Sequence, residues 1–505
     1  MFGKEKNGST SDGSDVAPEW DMIKHGKNPN LPPNHPVNAL SPWRKEAILY
    51  ILSYAAMLAN FGIAITLVAF PQIAADLGCT PLQVSYAMGY SILGQGVGSL
   101  LWNPLSRSIG RRPTYLIASF IYMPMVIWEC QAKSYGSFCA ARVFTGLTAA
   151  WSQTIPPTSI ADIYVVEVRG RKMATYSIPN LIGPVIAPVF GALIVNVSSW
   201  RNQFWLNFGM AALQFALIFF LVPETMWNEN TNPPTTAAEI AEADKRDVAM
   251  IETPAAPVSA HAGHVGPAFM PWKNPGAFFK LVVAPLEMMR YFNISLTSFY
   301  CGMCFGFLSL GMTVPTPQVL EAAPFNFALV PAGCSYLAFA IGGVLGKWSG
   351  GIVGDKISSY FERRNGQRQP EDRVWAAYPI LPLMFIGHML TGLALHFGWH
   401  WMVLLVGGGI AFFALSAITV LQTYCMESYL ARSMDTMFVW NFWKCIWGFV
   451  VPFFIMEWGE KWGWLAADCT QGAFMAGLGL VTCAFLIWKG YNIRVAQNMP
   501  YMEKH

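Results

Sequence analysis

Long apolar runs separated by short polar breaks fill most of this chain. Twelve of them, near 47–70, 83–103, 114–131, 138–160, 173–195, 203–222, 292–314, 328–350, 376–397, 401–423, 435–457 and 470–489, approach the roughly 20 residues that a helix needs to cross the hydrocarbon core. The runs are continuous rather than alternating, which excludes membrane strands of about ten residues. The pattern therefore predicts an all-α membrane protein with twelve transmembrane helices. The longest break, 223–290, contains "NTNPPTTAAEIAEADKRD" and divides the runs six and six. Five segments follow: a disordered cytosolic tail (1–46), a six-helix bundle (47–222), a cytosolic linker (223–290), a second six-helix bundle (291–490) and a cytosolic tail (491–505).

Composition strengthens this. Of 505 residues 54% are hydrophobic and 12% charged, about half the charge of a soluble domain, so the bilayer is the expected partner. A net charge of +3 and the lack of a basic stripe interleaved with aromatics argue against nucleic acid. The ten cysteines show no metal or disulfide spacing and read as small core hydrophobes, so no metal site is expected. The N-terminal stretch lacks the layout of a signal peptide. Lys and Arg collect in alternate breaks: Arg107, Arg111, Arg112, Arg169, Arg171 and Lys172 in one set, against Lys133, Arg201 and Lys461 in the other. This asymmetry predicts that both termini are cytosolic. The sequon at Asn196 falls in a short outer loop, too close to the bilayer for glycosylation.

Motifs recur in the same order in both halves. "NPLSRSIGRRP" follows the second run and "GKWSGGIVGDKISSYFERR" the eighth; "SIADIYVVEVRGRK" follows the fourth and "TYCMESYLARS" the tenth. "GPVIAPVFG" in the fifth answers "WGFVVPFF" in the eleventh. Together with "RVFTG", "WRNQFWLN" and "PET", these residues resemble the major facilitator superfamily, and within it the fungal 12-helix drug:proton antiporter branch. The resemblance implies two six-helix bundles that rock around one central site. It implies gating loops after helices 2 and 8, with Gly110, Arg111 and Arg112 in the first, and a fifth helix tied to antiport through Gly183, Pro184, Pro188 and Gly191. Arg142 falls on the motif arginine linked to proton coupling, although Thr145 stands where relatives carry glutamine. Aligned on Pro104-Leu105-Ser106, Arg107 stands where relatives carry an aspartate that pairs with basic neighbours and the start of helix 11. A cation there is expected to do the opposite, leaving the gate locked mainly from the second half through Asp355. On that reading Arg107→Asp favours the outward-open state.

Ionisable groups within a membrane span are costly and mark function. Lys444 lies mid-helix, one turn after Asn441, and is the first expectation for a substrate contact; a lysine satisfied by carbonyls or snorkelling along its stem is the plainer alternative. Either an acid such as Glu129, Asp162, Glu427 or Asp355 reaches it, or the substrate supplies the negative charge. Lys347 is expected to snorkel or support the gate. Glu129 joins Arg142 as a proton-coupling expectation. Asn60, Gln95, Gln153, Asn180 and Tyr300 complete a predicted cavity, each with interhelical glue as the plainer alternative. His388 reads as a packed core histidine. Asp162, Glu167, Arg169 and Glu427 are expected to form bridges between bundles at the cytosolic face, against a solvated loop.

No nucleophile elbow, metal-protease, P-loop or Rossmann pattern occurs, so neither an enzyme, a nucleotide-driven pump nor a cofactor is expected. The surplus of buried cations over acids leans toward proton-coupled export of an organic anion or secondary metabolite by a monomer in the plasma membrane, with vacuolar or other internal membranes as alternatives. Proton-coupled uptake of a nutrient or polyamine, and a non-transporting nutrient sensor, are the competing readings.

Overall fold

A computed structural model describes residues 40–164, 166–225, 282–283, 285–366, 369–429 and 432–497. Most of the N-terminal tail and of the 223–290 linker lies outside them. Among the described residues the secondary structure is helical, with no strand.

The helices form twelve rods. They are α1 (Pro42–Leu77), α2 (Pro81–Ile109), α3 (Arg111–Gln131), α4 (135–163), α5 (Val166–Val197), α6 (Asn202–Leu221), α7 (Phe292–Glu321), α8 (Leu329–Arg364), α9 (Pro370–His396), α10 (Trp401–Ser428), α11 (Ser433–Trp462) and α12 (Trp464–Ala496). Among the described residues nine are long and apolar enough by composition alone to cross a membrane. The remaining rods, α2, α3 and α4, carry more polar side chains. Those of α2 and α4 that lie deepest, such as Ser91, Gln95, Ser99, Arg142, Thr145 and Gln153, are buried against protein. Interior polarity of this kind is what lowers a hydropathy average without exposing polar groups to lipid.

Each bundle holds six rods, and the two bundles meet along two seams, α2 on α11 and α5 on α8. Small residues set the first seam: a Cβ on Gly89 would lie 3.0 Å from the Phe449 carbonyl, and one on Gly96 2.9 Å from the Cys445 Cβ. In the second, Gly333 of α8 rests on the Pro188 carbonyl of α5. This is the backbone proximity that small residues permit between membrane helices. The α2–α11 seam is bridged at both ends. At one, Tyr86 stacks on Phe453 with centroids 4.6 Å apart. At the other, where Arg107, Arg111 and Arg112 lie, the Arg107 guanidinium meets Asp435.

One rod is irregular. The middle of α7, Phe305–Leu310, is wound as a π-helix, a winding that is rare and concentrates at functional sites. It faces α11 beside Lys444.

Candidate functional site

Lys444 projects from α11 into the seam between bundles. Its Nζ donates to Gln153 Oε1 of α4 at 3.5 Å and lies 5.0 Å from the Phe305 ring centroid at the π turn. Gly302 lets α7 come this close, since a Cβ there would sit 2.6 Å from the Trp443 carbonyl carbon. Gln153 is itself fixed by donating to the Ala56 carbonyl of α1 at 3.2 Å. Asn60 of α1 donates to the Asn180 side chain of α5. Asn60, Asn180 and Lys444 are all half-buried. Asn441 and Gln95 are buried, and their amide nitrogens find no acceptor among the described residues. Such orphaned donors cost about 1–3 kcal/mol each and leave hydrogen bonds for a ligand or water to make.

Of the expected cavity residues, Tyr300 is not brought to this place. Its hydroxyl donates to the Met475 carbonyl at 3.2 Å, deep between α7 and α12, so it packs within the second bundle. His388 is fully buried, 3.4 Å from Asp468 of α12; the sequence reading missed that partner because Asp468 precedes the apolar run.

A second polar centre lies inside the first bundle. Arg142 of α4 is 2% exposed and Glu129 of α3 1%. They are 3.7 Å apart. The guanidinium donates to the carbonyls of Gly62 (2.8 Å) and Ile63 (3.1 Å) and to Thr66 Oγ1 (2.6 Å), and it faces the rings of Phe138 and Phe204. Thr145, in the glutamine's place, donates its hydroxyl to Glu129. A cavity of about 10 Å³, lined by Glu129, Arg142, Thr145 and Tyr122 among others, has room for a single water. Glu129 thus serves Arg142, and the alternative in which it reaches Lys444 is excluded here.

At the Arg-rich end the loop after α2 is built differently from the expectation. Arg107 does not stand unopposed: its guanidinium is 2.7 Å from Asp435 in the first turn of α11, and Arg432 holds the same carboxylate at 3.0 Å. Asp435 occupies the positive end of the α11 dipole, which favours an anion. The expected weakening is therefore corrected: the contact between bundles is kept with its polarity exchanged. Arg111 and Arg112, in contrast, meet Ser159 of α4, the Phe219 carbonyl of α6, and Glu224 and Thr225 just after α6. The amides of Arg111 and Arg112 donate to the two carboxylate oxygens of Glu224, from the "PET" stretch, at 3.2 and 3.0 Å. A carboxylate capping a helix N-terminus is a favourable arrangement. Gly110 makes room for it, with φ of 101° and a Cβ position 2.6 Å from Glu224 Oε2. Gly110→Ala is expected to lose about 1–3 kcal/mol of stability, read as a lowered unfolding temperature in detergent.

Glu427 and Asp355 both pair with Arg373, each at 2.9 Å. That network joins α8, α9 and α10 within the second bundle. The side chains of Asp162, Glu167 and Arg169 lie outside the described residues. In α5, Gly183 and Gly191 seat against the Met57 and Ile65 carbonyls of α1. Pro184 and Pro188 lie inside the helix.

Comparison with known proteins decides the family. The profile described as Major Facilitator Superfamily matches residues 52–452. This chain belongs to that superfamily. Over 414 residues it is 26% identical to the MFS-type transporter penM of Penicillium rubens, covering 80% of this chain and 77% of the relative. It is 28% identical over 190 residues to Quinidine resistance protein 3 of Saccharomyces cerevisiae, covering 38% and 28%. The xylose transporter XylE from E. coli, in a partially occluded inward-open conformation, superposes with a TM-score of 0.60 at 13% identity, covering 88% of this chain and 98% of that one. As a member of the superfamily the chain is a multi-pass membrane transporter, and its homologues include a quinidine resistance protein and an MFS antiporter.

Proposed function

We propose that this chain exports a small organic anion in exchange for protons by alternating access. The observation that carries the reading is Lys444, a cation at the seam of the two bundles whose partners among the described residues are a neutral amide and an aromatic face. Its desolvation is only partly offset by such partners, and an anionic substrate would complete it. Gln153, Asn60, Asn180, Asn441 and Gln95 supply the remaining polar contacts. The similarity to Quinidine resistance protein 3 of yeast supports the outward direction.

Glu129 carries the proton. As a carboxylate it is held by Arg142 and by the Thr145 hydroxyl. Adding a proton removes the charge that Arg142 balances and frees the guanidinium for the α1 carbonyls alone, which shifts α1 relative to α3 and α4. The bundles at 47–222 and 291–490 rock about the Lys444 seam, with tails and linker in the cytosol, in a monomer at the plasma membrane.

Counterflow in proteoliposomes against a panel of organic acids, amines and hydrophobic drugs tests the substrate class. Exchange of acids that falls at least tenfold in Lys444→Ala is expected; exchange confined to cationic drugs and undiminished in that variant would overturn the anion reading. Glu129→Gln is expected to keep exchange at equal pH on both sides and lose uphill accumulation driven by a pH gradient.

A further inference from the structure

Lys347 does not snorkel. From α8 its Nζ crosses the second seam and donates to the Ser177 carbonyl of α5 at 3.2 Å. Ser177 stands one turn before Asn180 on α5, and Gln153, the partner of Lys444, bonds the Ala56 carbonyl one turn before Asn60 on α1, so the Asn60–Asn180 hydrogen bond links the places the two lysines reach. Both belong to the second bundle, and each reaches a neutral oxygen of the first. Among the described residues no carboxylate forms an ion pair with either: Glu129 is engaged by Arg142, Asp355 and Glu427 by Arg373, and Asp435 by Arg107 and Arg432. Both lysines are half-buried.

Two like charges in a medium of low dielectric repel, and neutral oxygens do not remove that repulsion. The ligand that removes most of it brings two negative charges, one for each ammonium. We propose that Lys347 and Lys444 are the two ends of one anion site, and that the preferred substrate is a small dicarboxylate. This inference rests on the anion reading above. In the empty protein the lysines tie α8 to α5 and α11 to α4; a bound dianion replaces both ties with charge-assisted hydrogen bonds. Substrate binding and release of the seams are then the same event.

The test is binding to the purified full chain, followed by tryptophan fluorescence, with succinate and its monomethyl ester as probes. A second charge-assisted contact is expected to make succinate bind about tenfold tighter or more than the ester. Lys347→Met should abolish that preference by weakening succinate, and Lys347→Arg should retain it because the charge is kept. Equal affinities in the unmodified protein, or a preference that survives Lys347→Met, would overturn the dicarboxylate site while leaving an anion site at Lys444 standing. If neither probe binds and no organic acid exchanges in counterflow, the anion reading fails with it.

Discussion

Arg142→Met is expected to cost about 3–5 kcal/mol of stability, the range for removing one partner of a buried ion pair. Glu129 would keep a single hydrogen bond from Thr145 in a place that is 1% exposed. The Gly62 carbonyl and the Thr66 hydroxyl would lose the Arg142 donor, and the Ile63 carbonyl would keep the Thr66 hydroxyl at 3.5 Å in its place, so α1 loosens along with α3 and α4. The loss should appear as a fall in unfolding temperature and in monodisperse protein on size exclusion. The double variant Glu129→Gln/Arg142→Met should recover a large part of it, because the uncompensated charge is gone. A single variant that loses less than about 1 kcal/mol, or a double variant no better than the single, would show that the two groups do not depend on each other. Functionally the same geometry predicts that the pair acts as a unit.

The twelve rods were legible because hydrocarbon imposes one rule, that every backbone group be satisfied within the segment, and this leaves long apolar runs in any sequence that crosses. Arg142 and Glu129 were legible for the complementary reason: charges in such runs are rare enough to stand out. Their mutual contact was not, since Glu129 on α3 and Arg142 on α4 become neighbours only when the hairpin closes. The same limit applies to Lys347. Its position near the end of the apolar run 328–350 suggested a stem that snorkels or supports the gate, and the close packing of α5 on α8 turns that stem across the seam. Tyr300 failed in the opposite direction, because mid-helix depth says nothing about which side of a helix faces the centre. Glu224 was quoted only as part of a motif; its role as a cap depends on the end of α6 lying beside the start of α3, which no local pattern announces. The exchanged polarity at Arg107 was hidden because the resemblance drew attention to the missing acid of one helix rather than to the acid that Asp435 contributes from another.

That exchange leads to the second large effect. Arg107→Asp is expected to open the Arg-rich end, the reverse of what the alignment alone implies. The Arg107–Asp435 contact joins the bundles directly, at 2.7 Å with Asp435 6% exposed and Arg107 27%. A charge-assisted hydrogen bond in such a half-shielded place contributes about 1.5–3 kcal/mol, which is roughly a ten- to hundredfold bias toward closure. Replacing Arg107 with aspartate removes that contribution and sets two carboxylates against each other. The start of α11 already carries the Asp435 carboxylate in its first turn, so a second carboxylate there meets like charge at close range. Asp435→Arg should open the same end, because Arg107 and Arg432 would then face a third guanidinium. In the double variant Arg107→Asp/Asp435→Arg the attraction returns, although the guanidinium introduced on α11 would oppose the helix dipole at about 0.3–1 kcal/mol, so closure should recover in part. Distances between spin labels at the Arg-rich ends of α2 and α11 would read these populations directly. Lengthening in both single variants with shortening in the double is the expected result. A double variant as open as either single would mean that the contact does not hold the bundles together, and that closure at this end comes from the apolar seam between α2 and α11.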